Sequence, residues 1–476
     1  MSDRSADEAR RYAAAIAWVE SFIRPITGTA PPRTPADWEA ERPSRLERLD
    51  AVLDRLGHPE RRYRTFHVTG TSGKGSVCTF LGSVLRAAGY RTGVHATPYL
   101  QTPVEKLQVD GRYAPAGDVA DLVEAFRSVM PPDRDHGLDL PYPALWVALT
   151  YLYFARRRVD VGVIEVSTGG RFDWTNTITP EVAVITTVGP DHLGALGPTL
   201  ADVAYHKAGI IKQGRPSVTG VQPPELAIVE AEAHRRCSEL RRFGHEFGIE
   251  VRSCTDAGTV FDYFAGERRR EGLEIHMLGR HQAFNAALAV AALDAWSERN
   301  AAIPEEALRA GLRDAFFAGR MELIQRAPDV LLDGAHNPQK AAALAAAVAE
   351  IFPDRRLTLV VGAITSKDVH GILAPFAGRA ARAVVTAPHV LGKAALEPAH
   401  LVQDVEALGV PARVEPEPAR AIEIALADAS PTDLICVTGS LYLVGEVRRR
   451  WVSDEQVLAT GFSTPSGAAT SSVRGA

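Results

Sequence analysis

The chain has 476 residues, with 53 Lys and Arg set against 58 Asp and Glu, a net charge of -5. That length exceeds one ordinary core and predicts two or three domains, while the mixed charge and the lack of any apolar run of about eighteen residues speak against a nucleic-acid partner and a membrane span. Cys78, Cys237, Cys254 and Cys436 are widely spaced with no CxxC pair, and the N-terminus shows no apolar leader, so a reducing, cytoplasmic compartment is expected.

In chain order, residues 5–24 read as a helix, Pro25 to Pro35 as a loop, and Ser44 to Leu56 as a second helix capped by Ser44. Thr65 to Thr69 reads as a strand, Gly75 to Ala88 as its crossover helix and Arg91 to Ala96 as the next strand. Ala144 to Arg157 is helical, followed by strands Val161 to Val166 and Glu181 to Val188. Apolar β-branched runs alternating with helices predict a mostly parallel sheet covered on both faces. Val260 to Phe264 and Leu273 to Met277 read as an antiparallel hairpin, and residues 281–296 as an Ala-rich helix. A second unit begins near residue 318, with strands Val330 to Leu332, Leu357 to Val361, Ala383 to Thr386 and Leu434 to Thr438. Helices are predicted between them at Pro338 to Ile351, Leu396 to Leu408 and Ala419 to Leu426, the alternation of a smaller, doubly wound α/β domain. Gly461 to Ala476 is mostly Ser, Thr, Gly, Ala and Pro, too polar and small to order itself. The expected division is 1–316, 317–457 and a tail at 458–476.

Gly70-Thr71-Ser72-Gly73-Lys74-Gly75-Ser76 lies between the first parallel strand and its helix. A glycine-rich turn there presents backbone N–H groups and a helix N-terminus to phosphate. Lys74 would neutralise phosphoryl oxygens and the Ser76 hydroxyl would hold Mg²⁺, so a nucleoside triphosphate is the expected ligand. Glu165 sits inside a buried apolar strand, where a charge is costly unless paired or metal-bound. Beside a phosphate loop it suits Mg²⁺, and a carboxylate bonded to loop N–H groups is the other reading. Asp191-His192 follows a third strand, and Lys207 closes a helix before Ile210. In the second unit Asp333 and His336 sit on a loop whose Asn337 can cap the helix opened by Pro338, and Thr438-Gly439-Ser440 ends the last strand. A cleft between the two units, facing the phosphate loop, is the expected active site.

In this order the motifs resemble the folylpolyglutamate synthase and dihydrofolate synthase branch of the Mur ligases. The likeness runs from about Leu46 to Arg450. It rests on the Gly70–Ser76 loop with its extra glycine, on Glu165-Val166-Ser167-Thr168-Gly169-Gly170, on Asp191-His192, on Lys207 to Lys212, on Gly279 to Ala286, on Asp333 to Pro338 and on Thr438-Gly439-Ser440. The resemblance implies an α/β P-loop ATPase domain with a mostly parallel sheet, plus a smaller Rossmann-like C-terminal domain. It implies an ATP-dependent ligase, which turns the carboxylate of dihydropteroate or a reduced folate into an acyl phosphate and lets L-glutamate displace phosphate. It assigns one Mg²⁺ to Ser76 and Glu165 and a second to Glu165, His192 and Lys207, with Lys207 carbamylated, and leaves room for a monovalent cation. Gly70, Thr71, Ser72, Gly73, Lys74, Gly75 and Ser76 would cradle the phosphates, Asn285 would lie near adenine, Arg320 on phosphate, and Asp333 and His336 near ribose and phosphates. Catalytic roles fall to Lys74, Glu165, His192, Lys207 and His336, and Ser440 would line the amino-acid site. The partners implied are small molecules, without nucleic acid or membrane, and a monomer is expected.

The departures lie on the acceptor side. Thr97-Pro98-Tyr99-Leu100 stands for the family's Ser-Pro-His-Leu, Glu105-Lys106-Leu107 for Glu-Arg-Ile, Trp174 for a small Ala, and His206 for Glu. Lysine lacks arginine's fork, so carboxylate recognition there differs. A divergent ligase joining another carboxylic acid to an amino acid is therefore the alternative, as is an enzyme with one of the two folate activities.

Overall fold

The computed structural model describes residues 3–23, 34–130, 140–190, 193–365, 367–390 and 394–461. Two helices, α1 (Asp3–Glu20) and α2 (Pro35–Arg55), precede the first sheet. Ser44 is not the cap of α2. The helix starts nine residues earlier, where Thr34 accepts from the Asp37 N–H and Asp37 answers on the Thr34 N–H. This reciprocal box satisfies two N-terminal donors at once.

Next come β1 (Arg64–Thr69), α3 (Lys74–Ala87), β2 (Thr92–His95), β3 (Gln108–Val109), β4 (Arg112–Tyr113), α4 (Ala116–Val129), α5 (Tyr142–Arg156), β5 (Val161–Glu165) and β6 (Val182–Ile185). They continue through α6 (Leu200–Ala208), β7 (Ser217–Thr219), α7 (Leu226–Arg235) and β8 (Leu240–Arg242). The strands form one eight-stranded sheet in the order β4-β3-β2-β5-β1-β6-β7-β8. Six run parallel, and only β3 and β4 at one edge are antiparallel. β1 lies between β5 and β6, with Val68 beside both Glu165 and Val184. The carboxyl ends of these three strands therefore open at one edge, which is where an open α/β sheet binds ligands.

The chain then makes β9 (Phe247–Thr255), β10 (Gly258–Ala265) and β11 (Arg268–Ile275), followed by α8 (Arg280–Ser297) and α9 (Glu305–Arg313). The expected hairpin is thus a three-stranded antiparallel meander, β9 being its unforeseen strand. In β9 only Phe247 and Gly248 are buried, and beyond them half-buried Ile249 and Val251 alternate with exposed Glu250 and Arg252, so it lacks an apolar run to announce it. Its inner face, with Phe261 and Tyr263 of β10, packs on α8 in the same core as β1 and α3. In α3 the positions Val77, Phe80, Leu81, Val84 and Leu85 repeat at helical spacing and are wholly buried, each large side chain contributing roughly 1.5–3 kcal/mol.

The remaining elements are β12 (Glu322–Gln325), β13 (Asp329–Leu332), α10 (Pro338–Ile351), β14 (Leu357–Val361), α11 (Val369–Leu373), β15 (Ala380–Val385), α12 (Pro398–Ala407), β16 (Ala412–Val414), α13 (Pro418–Ala427), β17 (Leu434–Thr438), α14 (Leu441–Arg448) and α15 (Asp454–Thr460). They build a six-stranded sheet, β12-β13-β17-β14-β15-β16, parallel except for β12. Apolar cores lie on both faces, as a doubly wound sheet requires. Of the predicted loop Pro25 to Pro35, residues 25–33 lie outside the described residues and Pro35 opens α2; most of the predicted tail, 462–476, lies outside them too.

Hydrogen bonds of Gln101 fasten the first unit to the second, around a buried ion pair of the second. Arg448 of α14 meets Glu322 of β12 at 2.8 Å and also donates to Gln101 Oε1 at 2.6 Å. Gln101 in turn donates to the Val452 carbonyl at 2.8 Å. The segment following β2 is thereby fastened to the C-terminal sheet.

Candidate active site

The phosphate loop is tied to the strand beside it. Thr186 Oγ1 donates to the Ser72 carbonyl at 2.5 Å, Thr187 Oγ1 accepts from the Ser72 N–H at 3.0 Å, and Thr71 Oγ1 donates to the Gly189 carbonyl at 3.2 Å. Gly73 caps α3 at φ +85°, and a Cβ there would stand 2.2 Å from Asn285 Oδ1. Glycine is required on both counts. The extra Gly75 has a different reason. A Cβ there would meet the Phe317 ring at 2.5 Å and approach Glu165 Oε2 to 3.4 Å. The residue after Lys74 is bare so that a carboxylate and an aromatic ring can close on the loop. Lys74 itself bends back, its Nζ donating to the Gly70 carbonyl at 3.0 Å.

These groups line a cavity of about 260 Å³. Its walls include Gly73, Lys74, Ser76 and Glu165 from the first sheet, Asn285 of α8, and Arg320, Asp333 and His336 from the second unit. Glu165 is buried, one oxygen accepting from the Thr97 N–H at 3.0 Å. Burial raises its pKa, and the positive charges of Lys74, Arg320 and Lys106 pull the other way. Asp333 is held by the Ala335 and Met321 N–H groups at 2.8 and 2.9 Å. His336 Nδ1 donates to the Gly334 carbonyl at 2.7 Å, leaving Nε2 to accept from Lys340 Nζ at 3.2 Å. Burial, with Lys340, Lys367 and Arg320 nearby, holds this imidazole neutral, its pKa well below the ordinary value. Asn337 caps α10 as expected.

A second, larger cavity of about 650 Å³ adjoins the first. Thr97, Pro98, Ser167 and His336 line both. Its walls are aromatic, with Phe22, Tyr99, Tyr142, Trp146, Trp174 and Tyr442 on it, and Ser440, the cap of α14, lies there too. Lys106 is buried in this wall, its Nζ 3.2 Å from Thr97 Oγ1 and 5.8 and 6.0 Å from the Tyr99 and Trp146 rings. Burial pushes its pKa down to about 8 against the pull of Glu165 and Glu105, and burial pushes the Tyr99 phenol up to about 12.

Sequence reasoning named the loop, Glu165, Asn285, Arg320, Asp333 and His336, and these converge on one cavity. Lys207 is not among the lining residues. It is buried in the last turn of α6, behind the Gly169-Gly170 turn, and lines neither cavity. Asp191 and His192 lie outside the described residues. Among the described residues no three His, Cys, Asp or Glu side chains gather as a metal centre. The Ser76 hydroxyl and the Glu165 carboxylate on one wall are nonetheless oxygen donors of the kind Mg²⁺ takes beside phosphates. Missed by sequence were His281, Phe317, Gln339 and Lys340 on the smaller cavity, and Glu20, Phe22 and Tyr142 on the larger. Gln339, which accepts from Ser72 Oγ at 3.1 Å, carried the one available signal, its place in the first turn after Asn337-Pro338.

A phosphate loop at the edge of one parallel sheet, facing an Asp–His loop at the edge of another, defines a Mur-type ligase. Two family models match: the Mur ligase middle domain over residues 68–293 and the Mur ligase glutamate ligase domain over residues 319–441. The dihydrofolate synthase/folylpolyglutamate synthase of Bacillus subtilis is 34% identical, covering 85% of this chain and 94% of that protein. The folylpolyglutamate synthase of Lacticaseibacillus casei is 32% identical, covering 84% and 93%. Among solved structures, Mycobacterium tuberculosis folylpolyglutamate synthase complexed with ADP superposes with a TM-score of 0.82 at 29% identity, covering 93% of this chain and 98% of that one. Escherichia coli FolC in complex with DHPP and ADP gives 0.79 at 27% identity, covering 92% and 97%. The chain belongs to the folylpolyglutamate synthase/dihydrofolate synthase family of the Mur ligases, and it is an ATP-dependent ligase of that type. No helix among the described residues is long and apolar enough to cross a membrane.

Proposed function

We propose that this ligase adds L-glutamate to dihydropteroate, to the glutamate tail of reduced folates, or to both. The observation that carries the reading is the pair of cavities meeting at Thr97, Pro98, Ser167 and His336. A nucleotide in the smaller one presents its γ-phosphoryl group at that junction, and a flat aromatic acid in the larger one brings its carboxylate there. A carboxylate oxygen attacks phosphorus, and the bond to ADP breaks. The glutamate amine then attacks the acyl carbon, loses a proton and expels phosphate. Positioning and charge neutralisation supply the catalysis. Lys74 and Arg320 stabilise the phosphoryl oxygens, Asn285 lies by adenine, Asp333 and His336 by ribose and phosphates, and Ser440 by glutamate. Neutral His336 accepts a hydrogen bond at Nε2 without adding charge.

Ser76 and Glu165 would hold one Mg²⁺, which spreads phosphoryl charge when bound. Glu165, His192 and a carbamylated Lys207 would hold the second, a cation made into a carboxylate-like ligand. Lys207→Ala is then nearly inactive and regains rate in acetate, and a variant of full activity would remove Lys207 from the site. On this reading the working units divide near residue 316, and the chain acts as a cytoplasmic monomer.

The alternative, another carboxylic acid as acceptor, is favoured by Tyr99, Lys106 and Trp174 on the larger cavity. ADP release with ATP, Mg²⁺ and glutamate, measured with dihydropteroate, tetrahydrofolate and unrelated acids, decides between them. Turnover with either pterin and a product heavier by one glutamyl residue is expected. Rejection of both pterins with acceptance of another acid would move the substrate and keep the chemistry.

A further inference from the structure

We propose that Phe317 is the positioning residue that holds Arg320 beside the phosphate loop, so that a cation of the second unit reaches the transferring phosphoryl group. The inference rests on the reading of Arg320 as a phosphoryl contact and names what places it. Phe317 is half-buried and packs against the core shared by β1, α3 and α8. The next residue, Ala318, is buried in the core of the second sheet with Val330 and Leu332. The chain therefore crosses between the units at this bond, beside the nucleotide cavity that Phe317 and Arg320 both line.

The ring touches both partners of the site. Its Cε1 and Cζ would stand 2.5 and 2.8 Å from a Cβ on Gly75, so it lies directly against the first turn of α3. The Arg320 guanidinium carbon lies 5.6 Å from the ring centroid, within the range of a cation–π contact. Nη1 of the same guanidinium would stand 3.1 Å from a Cβ on Gly334, which bounds it from the second unit. The turn between ring and cation is short and tied down. The Arg320 N–H donates to the Phe317 carbonyl at 3.3 Å, the Gly319 N–H to Glu322 Oε2 at 2.8 Å, and the Gly334 N–H to the Gly319 carbonyl at 3.0 Å. A free arginine side chain samples many rotamers, and ordering it during the reaction is costly. A ring seated on the phosphate loop orders it beforehand. Leucine at 317 would keep the apolar packing and lose the π face.

The test is a double-mutant cycle on the full chain, with ATP, Mg²⁺, glutamate and dihydropteroate, or the acid that wild type accepts should it reject that pterin. Arg320→Met is expected to lower kcat about a hundredfold. Phe317→Leu is expected to lower it about tenfold, with the KM for the acceptor within about threefold. Because the ring acts through the guanidinium, adding Phe317→Leu to Arg320→Met costs nothing further. ADP affinity of Phe317→Leu stays within about threefold of wild type, since ADP lacks the group that Arg320 meets. Phe317→Met and Arg320→Lys run the same cycle should either first choice fail to fold. Additive losses in the double variant would overturn the proposal, as would wild-type kcat in Phe317→Leu beside a crippled Arg320→Met. Loss of ADP affinity in Phe317→Leu, with a lower melting temperature, would also overturn it, because the ring would then merely prop the loop. Failure of the underlying reading looks different: Arg320→Met itself would keep the kcat of wild type.

Discussion

Lys74 is the side chain on which the nucleotide reading depends most simply. Its ammonium rests on the Gly70 carbonyl at 3.0 Å, a contact that a phosphate oxygen would replace. Lys74→Ala is expected to slow ATP turnover by at least about a hundredfold and to shift melting by no more than a few degrees, since no core packing is lost. Phosphate release and thermal melting on one preparation check both halves. His95 gives a pH test of the acceptor wall. It is buried with Nδ1 2.9 Å from Thr150 Oγ1, and burial, with Lys106 nearby, holds its pKa down at about 3 against an ordinary 6.5. The unfolded chain therefore binds a proton that the folded chain refuses between these values. The contribution of His95 is complete above pH 6.5 and is lost as pH falls toward 3, at up to about 1.4 kcal/mol per pH unit. Urea unfolding at pH 7.5 and 5 should show wild type losing more stability than His95→Asn. Equal losses would show that His95 does not drive the change.

Among the elements, those that carry the phosphate site were legible. β1, its loop and α3 were readable because a buried β-branched strand, a glycine turn and an amphipathic helix each have their own period. The first half of α2 was not, because Ser44 offered a side-chain cap for a start there, whereas the helix begins at a capping box on Thr34. The acceptor cavity was hidden for a different reason. Phe22, Tyr99 and Tyr142 come from three distant segments of the first unit and Tyr442 from the second, so tertiary packing alone brings them together. The extra glycine at 75 was visible, but the Phe317 ring that demands it was not. Arg448 shows what holds these segments in register. It is wholly buried, paired to Glu322 and bonded to Gln101. Arg448→Met should cost about 3–5 kcal/mol, since it leaves Glu322 buried and unpaired. Pairing it with Glu322→Gln should recover part of that loss in a denaturant titration, and no recovery would show that the ion pair is not the cause.

In the whole molecule, chemistry depends on two sheets facing one another. The first brings the phosphate loop and Glu165, the second Arg320, Asp333 and His336, and His336 reaches both cavities. Such an arrangement passes a phosphoryl group to a carboxylate held next door, and then lets an amine take the acyl group. The central claim is that the acceptor carboxylate is phosphorylated before the amide forms. Its most direct test uses an acceptor labelled with ¹⁸O in the reacting carboxylate, together with ATP, Mg²⁺ and glutamate, and mass analysis of the phosphate released. One labelled oxygen in each phosphate, with one remaining in the new amide, is the expected result. Amide product formed with unlabelled phosphate would contradict it.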